Sequence, residues 1–469
     1  MLFVHQALSA LTLLATFVSG APSAGLLGLG VGAAVDVDLN IQLLAELGVA
    51  ITENVTPLTP LADFNLDASL DIRIFFGRGG YGTLQNVAHG ARYTITIDID
   101  GEPYPVQFDT GSGDLWLPRA NFTCEDGNHT VTDPSNCIFA GRGPTGFSQG
   151  TIDDEIYDIS YSDKSAINGT FGYGTVSYGG ITVQKQQYAL ADRGYFPGGN
   201  NFTSGIMGFG LPSLTEAYYT DGTRNNYSTV PYNSWPFQAI EDGLLAPSQF
   251  TVGLFRRGLN DTQNSYGGFV ALGGTPPPAD FPYTGVWATT PMIKVAYPTF
   301  DIPLQYDFYN LQPDGFTVNG NFFEWVSPIQ NDTGLQAPTI VDSGTTVSRV
   351  PSYVSAAIAQ AFEPPAHIDH DFFDWYIAPC NSTVPEVSFR LGGKDFAITP
   401  RDILIDGELG EVYSDQSCLM GFQPNPDPSK SNNPSYAANP IFGMTFMRNV
   451  VVVHDLENYQ LTFGGVLWD

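Results

Sequence analysis

The chain has 469 residues, enough for two domains or one large two-lobed body with an extensive core. It carries 48 acidic and 18 basic residues, a formal net charge of −30 at pH 7, so nucleic acid and anionic membranes, which would repel it, are excluded as partners. Two interpretations of the acidity remain open: adaptation to an acidic medium, in which carboxylates protonate, or a surface that is merely solubilising.

The first residues predict export. Residues 1–20 are typical of a secretory signal peptide, with an apolar core over 7–18 and small residues before Ala21. No later stretch is long and apolar enough to span a membrane, and the C-terminus carries no hydrophobic tail, so we expect a secreted, extracellular protein without a membrane anchor. Residues 21–80, rich in Gly, Ala and Leu, indicate a pro-segment with an approximate end.

Alternating apolar and polar residues dominate the remainder. Tyr93–Asp100, followed by Gly101, predicts a strand that enters a turn, and Tyr173–Val183 and Tyr459–Phe463 have the same pattern. The chain contains 51 Gly and 34 Pro, which punctuate such strands with turns. Ser352–Phe362 is the clearest predicted helix. The pattern predicts an all-β class.

Cysteines and glycosylation sequons agree with export. The four cysteines suit disulfides in an oxidising compartment, and their clustering indicates two local pairs, Cys124–Cys137 and Cys380–Cys418. Single sequons arise by chance, but many in a predicted secreted chain indicate a glycoprotein. The candidate sites are Asn54, Asn121, Asn128, Asn168, Asn201, Asn226, Asn260, Asn331 and Asn381.

An internal repeat is the most informative feature. The stretch PVQFDTGSGDLWLP around Asp109 matches PTIVDSGTTVSRVP around Asp342: each has Pro four residues before the acid and nine after it. Each copy continues to an apolar-apolar-Gly element, which ends 99 residues after the first acid, at Gly208, and 101 after the second, at Gly443. A chance acidic turn would not recur with its context, so we predict two related lobes that face each other.

Two matched aspartates can form a catalytic pair. Carboxylates about 3 Å apart cannot both ionise easily, so the pair shares one proton. The ionised member takes a proton from a water that attacks a carbonyl carbon, and the protonated member donates to the developing oxyanion. We therefore predict Asp109 and Asp342 as catalytic residues, with no metal and no cofactor.

The residues after each acid suit the support of such a pair. The glycines let backbone N–H groups approach the carboxylates, the first hydroxyls can bond across the lobe junction, and the second hydroxyls can hold the outer carboxylate oxygens. The predicted supporting residues are Thr110, Gly111, Ser112, Ser343, Gly344 and Thr345.

These motifs resemble the pepsin-like aspartic proteases. The two D-[TS]-G-[ST] motifs and both apolar-apolar-Gly elements match, and the resemblance covers roughly residues 85–469. It implies two pseudo-twofold-related antiparallel β lobes with an active-site cleft between them, over residues 81–285 and 286–469. It also implies an acid endopeptidase made as a zymogen, acting as a monomer on protein or peptide substrates.

The resemblance extends to the flap, a hairpin over the cleft. Tyr161 resembles the flap tyrosine, and Trp116 resembles its tryptophan partner. Asp163 lies where flap side chains approach the residue before the scissile bond. Family members with an acid there often accept a basic residue, so we expect Asp163 to favour a basic substrate side chain.

The sequence departs from the family in three places. The flap is a residue longer than the mammalian pattern and carries the sequon at Asn168, and Met444 replaces a frequent Asp. Pro-segments of the family are usually basic, with a Lys over the aspartates, whereas this chain has no Lys before Lys164. Either Arg73 or Arg78 substitutes, or the pro-segment is a folding aid.

Other chemistries fit less well. Gly146–Gly150 matches the G-x-S-x-G elbow of serine hydrolases but follows a predicted loop, and His367–His370 lies in a predicted acidic loop without a third metal ligand at useful spacing. A catalytically inactive relative would be expected to lose one acid. A secreted glycosidase also uses two carboxylates, but it does not predict duplicated turns.

Overall fold

The structure of the protein is a computed structural model. It describes residues 79–161, 165–197, 201–220, 229–256, 265–276, 282–297, 302–327, 337–370, 374–405, 417–426 and 439–467. The predicted signal peptide and almost all of the predicted pro-segment lie outside these residues, and so do Arg73 and Arg78.

Strands fill most of the first half of the described chain. They are β1 (Gly80–Val87), β2 (Arg92–Ile99), β3 (Glu102–Asp109), β4 (Leu115–Cys124), β5 (Thr151–Ser160), β6 (Ala166–Tyr178), β7 (Ile181–Tyr195), β8 (Ile206–Gly208), β9 (Ala217–Tyr219), β10 (Gln249–Leu254) and β11 (Ser265–Leu272). The helical segments are three single 3-10 turns, Ala88–Gly90, Pro134–Asn136 and Pro212–Leu214, and α1 (Trp235–Glu241).

The second half is built in the same way from shorter strands. They are β12 (Tyr283–Pro291), β13 (Val295–Tyr297), β14 (Ile302–Gln305), β15 (Asn310–Leu311), β16 (Gly315–Val318), β17 (Asn321–Glu324), β18 (Thr339–Val341), β19 (Ser348–Val350), β20 (His367–Asp369), β21 (Trp375–Pro379), β22 (Val387–Leu391), β23 (Lys394–Ile398), β24 (Leu404–Ile405), β25 (Ser417–Met420), β26 (Phe422–Pro424), β27 (Ile441–Phe442), β28 (Val450–Asp455) and β29 (Gln460–Val466). Its helices are α2 (Ser352–Gln360), α3 (Pro400–Ile403) and α4 (Met444–Met447).

One large sheet joins the two halves of the chain. Its 14 strands run in the order β12-β29-β28-β10-β11-β1-β2-β3-β8-β4-β7-β6-β5-β9. Strand β28 of the second half therefore pairs with β10 of the first, and β29 and β12 continue the sheet beyond β28. The lobe boundary predicted at 285–286 falls inside β12, and the pro-segment end predicted at 80–81 falls inside β1.

The second half also forms smaller sheets of its own. The five-stranded sheet β15-β18-β27-β19-β26 holds the second copy of the repeat. Two four-stranded sheets, β17-β16-β22-β23 and β20-β21-β25-β24, and the pair β13-β14 complete the half.

The internal repeat of the sequence is a repeat of strand pairing. Strand β3 pairs in parallel with β8, so that Asp109 lies opposite Gly208. Strand β18 pairs in parallel with β27, with Val341 opposite Phe442, directly before Asp342. The strand after each turn, β4 or β19, pairs antiparallel with the same apolar-apolar-Gly element. Both copies therefore place an acid at the end of a strand beside that element.

The glycine of each element has a steric cause. A Cβ on Gly208 would overlap the carbonyl oxygen of Ser112, and one on Gly443 would overlap the carbonyl oxygen of Thr345. Because each acidic turn passes directly over its glycine, a side chain there would push the turn away. The matched spacing in the sequence reflects this close approach.

Local predictions are borne out with two differences. Strand β2 and helix α2 lie where alternation and the helical pattern predict them. The stretch Tyr173–Val183 is not one strand, however, because a turn at Gly179 and Gly180, both at positive φ, separates β6 from β7. The residues around His367 form strand β20 rather than a loop.

Packing between the halves centres on an aromatic cluster. The ring of Phe209 lies 4.8 Å from that of Phe108 and 5.3 Å from that of Phe250. Tyr309, from the second half, donates its hydroxyl to the backbone carbonyl of Phe209 at 2.6 Å. This buried contact lies one residue beyond the first apolar-apolar-Gly element, so the core that joins the halves also supports the acidic turns.

Candidate active site

The two acidic turns meet and hold each other. The backbone N–H of Thr110 donates to the hydroxyl of Ser343 at 3.0 Å, and the N–H of Ser343 donates to the hydroxyl of Thr110 at 2.9 Å. The hydroxyl of Thr110 donates to the carbonyl of Val341 and that of Ser343 to the carbonyl of Phe108, both at 3.3 Å. Both hydroxyl side chains are fully buried, so these reciprocal bonds are protected from water.

Each carboxylate is oriented by the residues of its own turn. One oxygen of Asp109 accepts the N–H of Gly111 at 2.8 Å, and the other accepts the hydroxyl of Ser112 at 2.6 Å. For Asp342 the N–H of Gly344 donates to one oxygen at 2.7 Å, and the hydroxyl of Thr345 donates to the other. The two carboxylates therefore have matching sets of donors, as the repeat predicts.

The glycines of the two turns allow the carboxylates to approach each other. A Cβ on Gly111 would lie 2.5 Å from the Oδ1 atom of Asp342, and a Cβ on Gly344 would overlap the Oδ1 atom of Asp109. A side chain at either position would displace the opposite carboxylate. Glycine is thus required here by the opposing turn rather than by backbone dihedrals.

Burial and mutual repulsion couple the pair. Asp109 is only 6% exposed, and loss of hydration raises its pKa well above the usual range of an aspartate. The negative charge of Asp342 raises the pKa of Asp109 further, and a hydrogen bond between the two carboxyls acts in the same direction. Such a pair holds one proton between two oxygen-rich groups over a broad pH range.

The tyrosine predicted to lie on the flap and its predicted tryptophan partner are in contact. The indole Nε1–H of Trp116 donates to the hydroxyl of Tyr161 at 2.9 Å. Tyr161 follows the last residue of β5, and β5 and β6 form the hairpin. Asp163 lies outside the described residues, so its predicted role stays a prediction.

A buried acid beside the first turn was missed by the sequence reasoning. Asp114 is 1% exposed, accepts the hydroxyl of Tyr232 at 2.7 Å and accepts the N–H of Glu216 at 3.0 Å. Burial raises the pKa of Asp114 to about 8, and the charge of Glu216 adds to the effect. Its position between the turn and the apolar Leu-Trp-Leu run was a signal that it is buried, but its partners are 102 and 118 residues away.

The remaining predicted sites are distributed over the surface and the two halves. Both predicted disulfides are formed, Cys124–Cys137 and Cys380–Cys418. The asparagines of four sequons are exposed: Asn121, Asn128, Asn201 and Asn381. Asn168 is half-buried on β6, and its side-chain N–H donates to Asp158. Four sequons lie outside the described residues: Asn54, Asn226, Asn260 and Asn331.

The structure bears on the serine-hydrolase alternative and on the departure from the family pattern at Met444. Ser148 of the G-x-S-x-G pattern is an exposed loop residue followed by strand β5, whereas the serine-hydrolase elbow requires a helix there. Met444, which replaces a frequent acid, is fully buried and donates its backbone N–H to the carbonyl of Thr345 at 2.8 Å. The second turn is thus supported at this position through the backbone.

Known proteins resemble the chain over most of its length. Residues 92–466 match the eukaryotic aspartyl protease family. A probable aspartic-type endopeptidase of Aspergillus fumigatus is 30% identical over 389 residues, which cover 83% of this chain and 82% of that protein. Gastricsin of Homo sapiens is 25% identical over 376 residues, which cover 79% and 80% of the two chains.

A solved structure agrees at the level of the fold. The aspartic proteinase from Irpex lacteus superposes with a TM-score of 0.60 at 18% identity, over 83% of this chain and 97% of that one. The architecture is the all-β, bilobal pepsin-like fold. No helix within the described ranges is long and apolar enough to cross a membrane. The chain belongs to the pepsin-like eukaryotic aspartyl protease family and is an aspartic-type endopeptidase.

Proposed function

We propose that the protein hydrolyses peptide bonds with a water molecule activated by Asp109 and Asp342. The observation that carries this proposal is the reciprocal bonding of the two turns through Thr110 and Ser343, which brings the buried carboxyl of Asp109 and the half-buried carboxyl of Asp342 together. The coupled pair shares one proton, which equips one member as a base and the other as an acid.

The proposed reaction proceeds in two balanced steps. The ionised carboxylate accepts a proton from the water as the water oxygen bonds to the peptide carbonyl carbon. The protonated carboxyl donates its proton to the carbonyl oxygen. The resulting gem-diol then loses a hydroxyl proton to the ionised carboxylate as the C–N bond breaks, and the leaving nitrogen takes its proton from the protonated carboxyl. The pair ends with the single proton with which it began.

We also propose the localisation, the zymogen form, the pH of action and the oligomeric state of the protein. It is secreted to the extracellular space, made as a zymogen with a pro-segment over residues 21–80, active in acid, and acts as a monomer. Support comes from the signal-like residues 1–20, the nine sequons and the excess of 48 acidic over 18 basic residues. The lobes comprise residues 81–285 and 286–469, and the glycan candidates are the sequons named above.

We also propose that Asp163 contacts a basic substrate residue before the scissile bond. Its carboxylate would pair with a lysine ammonium in a partly desolvated cleft. The test compares cleavage of Lys- and Leu-containing peptides before and after Asp163→Ala. A selective loss with the Lys peptide is expected, whereas equal loss with both peptides contradicts the assignment.

The experiment for the activity itself uses the acid-activated full-length protein. It is incubated with a denatured protein at about pH 3 to 4, where one carboxyl of a coupled pair can stay ionised, with and without a statine-type inhibitor. Inhibitor-sensitive cleavage is expected. An absence of cleavage favours an inactive relative, and hydrolysis of glycosides instead of peptides favours the glycosidase alternative.

A further inference from the structure

The two lobes carry different residues at one matched position beside the acidic turns. Arg349 lies seven residues after Asp342, as Trp116 lies seven residues after Asp109. Each lies opposite the isoleucine of its apolar-apolar-Gly element in an antiparallel register, and for Arg349 that residue is Ile441. Arg349 is therefore the counterpart of Trp116 in the second lobe.

The strand register determines the face of the sheet from which the side chain of Arg349 projects, and Asp342 lies near enough for its charge to act on the guanidinium group. Ile340, Ile441 and Arg349 are aligned across β18, β27 and β19. Aligned residues project from the same face of a sheet, and successive residues of a strand project from opposite faces. The neighbours of Arg349, Ser348 and Val350, are fully buried in the core. Arg349 therefore extends from the opposite face, at the end of a row of isoleucines.

The guanidinium group of Arg349 is a cation without a hydrogen-bonding or ion-pair partner among the described residues. Arg349 is half-buried, and within the described ranges its side chain forms neither a hydrogen bond nor an ion pair. Burial lowers the pKa of Arg349, and the nearby charge of Asp342 opposes that effect. Trp116, at the matched position, donates to Tyr161. A partly desolvated cation gains most from an anion that completes its hydrogen bonds.

We propose that Arg349 binds the carboxylate side chain of a peptide substrate, so that the enzyme favours Asp or Glu at one position close to the scissile bond. The guanidinium fork matches a carboxylate in a bidentate geometry, which a neutral amide cannot reproduce. Ile441, the partly exposed isoleucine of the row, packs against the aliphatic part of the substrate's acidic side chain. This inference rests on the proposed function, since it assigns a specificity to the same cleft.

The test compares paired peptides that differ by Glu or Gln at one position, moved stepwise along the substrate. Both ends are blocked, so that no terminal carboxylate contributes, and the assay is run at about pH 5, above the usual pKa of glutamate. At one position the wild type is expected to cleave the Glu peptide with about tenfold higher kcat/KM than the Gln peptide. Arg349→Gln is expected to bring that ratio within about twofold.

Two further variants complete the design. Arg390→Gln removes the same charge from the same half of the chain, on a surface where Arg390 pairs with Asp395, and should leave the ratio unchanged. Arg349→Met keeps an unbranched side chain and repeats the test if Arg349→Gln does not fold. Thermal unfolding of each variant verifies that the fold is intact.

Several results would overturn the inference. The wild type overturns it if the kcat/KM values of the Glu and Gln peptides are equal at every position. Arg349→Gln overturns it if the variant keeps the wild-type ratio of the two values. An equal loss with both peptides would mean that Arg349 acts on the charge of Asp342 instead. A preference seen only in peptides with a free C-terminus would assign the site to the terminal carboxylate. Failure of the proposed function is distinct, because the wild type would then cleave neither peptide.

Discussion

Asp114 shows how one buried residue couples the stability of the protein to pH. Its carboxyl is held by Tyr232 and Glu216 beside the first acidic turn, and burial raises its pKa to about 8. Between its unfolded pKa of about 4 and the folded value, the folded state binds a proton that the unfolded state releases. The contribution of Asp114 is therefore most favourable in acid and declines as the pH rises through this window.

Asp114→Asn tests this coupling at a single position. The single amide oxygen can accept from both Tyr232 and Glu216, because the Glu216 N–H also lies 3.2 Å from the oxygen that accepts from Tyr232. The amide cannot ionise, so the variant should lose part of the decrease in unfolding free energy between about pH 4 and pH 7, on the order of a few kcal/mol. Urea unfolding at both pH values measures the difference. Asp153→Asn, on an exposed site of β5, is the matched control. Equal pH dependence in wild type and Asp114→Asn would contradict the assignment.

At the scale of elements, the hairpin of β5 and β6, which we predict to be the flap, is anchored at its base and fixed near its tip. Strand β5 pairs with β6 on one side and with β9 on the other, where Tyr157 lies opposite Ala217. Near the tip, Trp116 donates to Tyr161, and the ring of Phe196 packs at 5.1 Å against the indole. The indole N–H thus sets the position of the flap tyrosine, while the aromatic packing holds the indole.

Trp116→Phe removes the donor and keeps an aromatic ring. We expect kcat/KM for a long peptide to fall about tenfold, in proportion to the loss of one hydrogen bond that positions the flap. Tyr161→Phe should produce a similar loss, and the double variant little more, because both substitutions remove the same bond. Unchanged kcat/KM in the single variants, or fully additive losses, would contradict the role given to this bond.

Features that depend on nearby residues could be predicted from the sequence, whereas features that depend on residues far along the chain could not. The acidic turns and their glycines could be predicted because the motif recurs within a few residues of each acid and each copy is followed by its apolar-apolar-Gly element. The break at Gly179 was missed because the alternation continues through the hairpin turn. The partners of Asp114 could not be predicted, because Tyr232 is one of 23 tyrosines and meets Asp114 only through the fold.

At the scale of the whole molecule, a buried ion cluster ties together distant parts of the chain. Asp402 accepts the Nε–H of Arg256 at 2.7 Å and an N–H of Arg448 at 3.4 Å, and all three side chains are almost fully buried. Arg448 in turn donates to the hydroxyl of Tyr93 at 2.9 Å and to the carbonyl of Gly90. The cluster therefore connects the beginning, middle and end of the described chain.

Asp402→Ala should show how much the fold depends on this cluster. Two buried guanidinium groups would lose their shared carboxylate, so the free energy of unfolding should fall by about 3–5 kcal/mol. Asp395→Ala is the control, because its pair with Arg390 is exposed and should contribute little. Urea unfolding at fixed pH measures both variants. Equal losses in the two variants would contradict the importance of the buried cluster.

The central claim is that Asp109 and Asp342 act as one catalytic unit, and its most direct test is the kcat/KM of Asp109→Asn and Asp342→Asn in a peptide assay. Each is expected to fall by at least about 10³-fold, and the double variant little further, because either substitution removes the shared proton chemistry. Asp242→Asn, exposed at the end of α1, should keep wild-type activity. Full activity in either Asp109→Asn or Asp342→Asn would contradict the account.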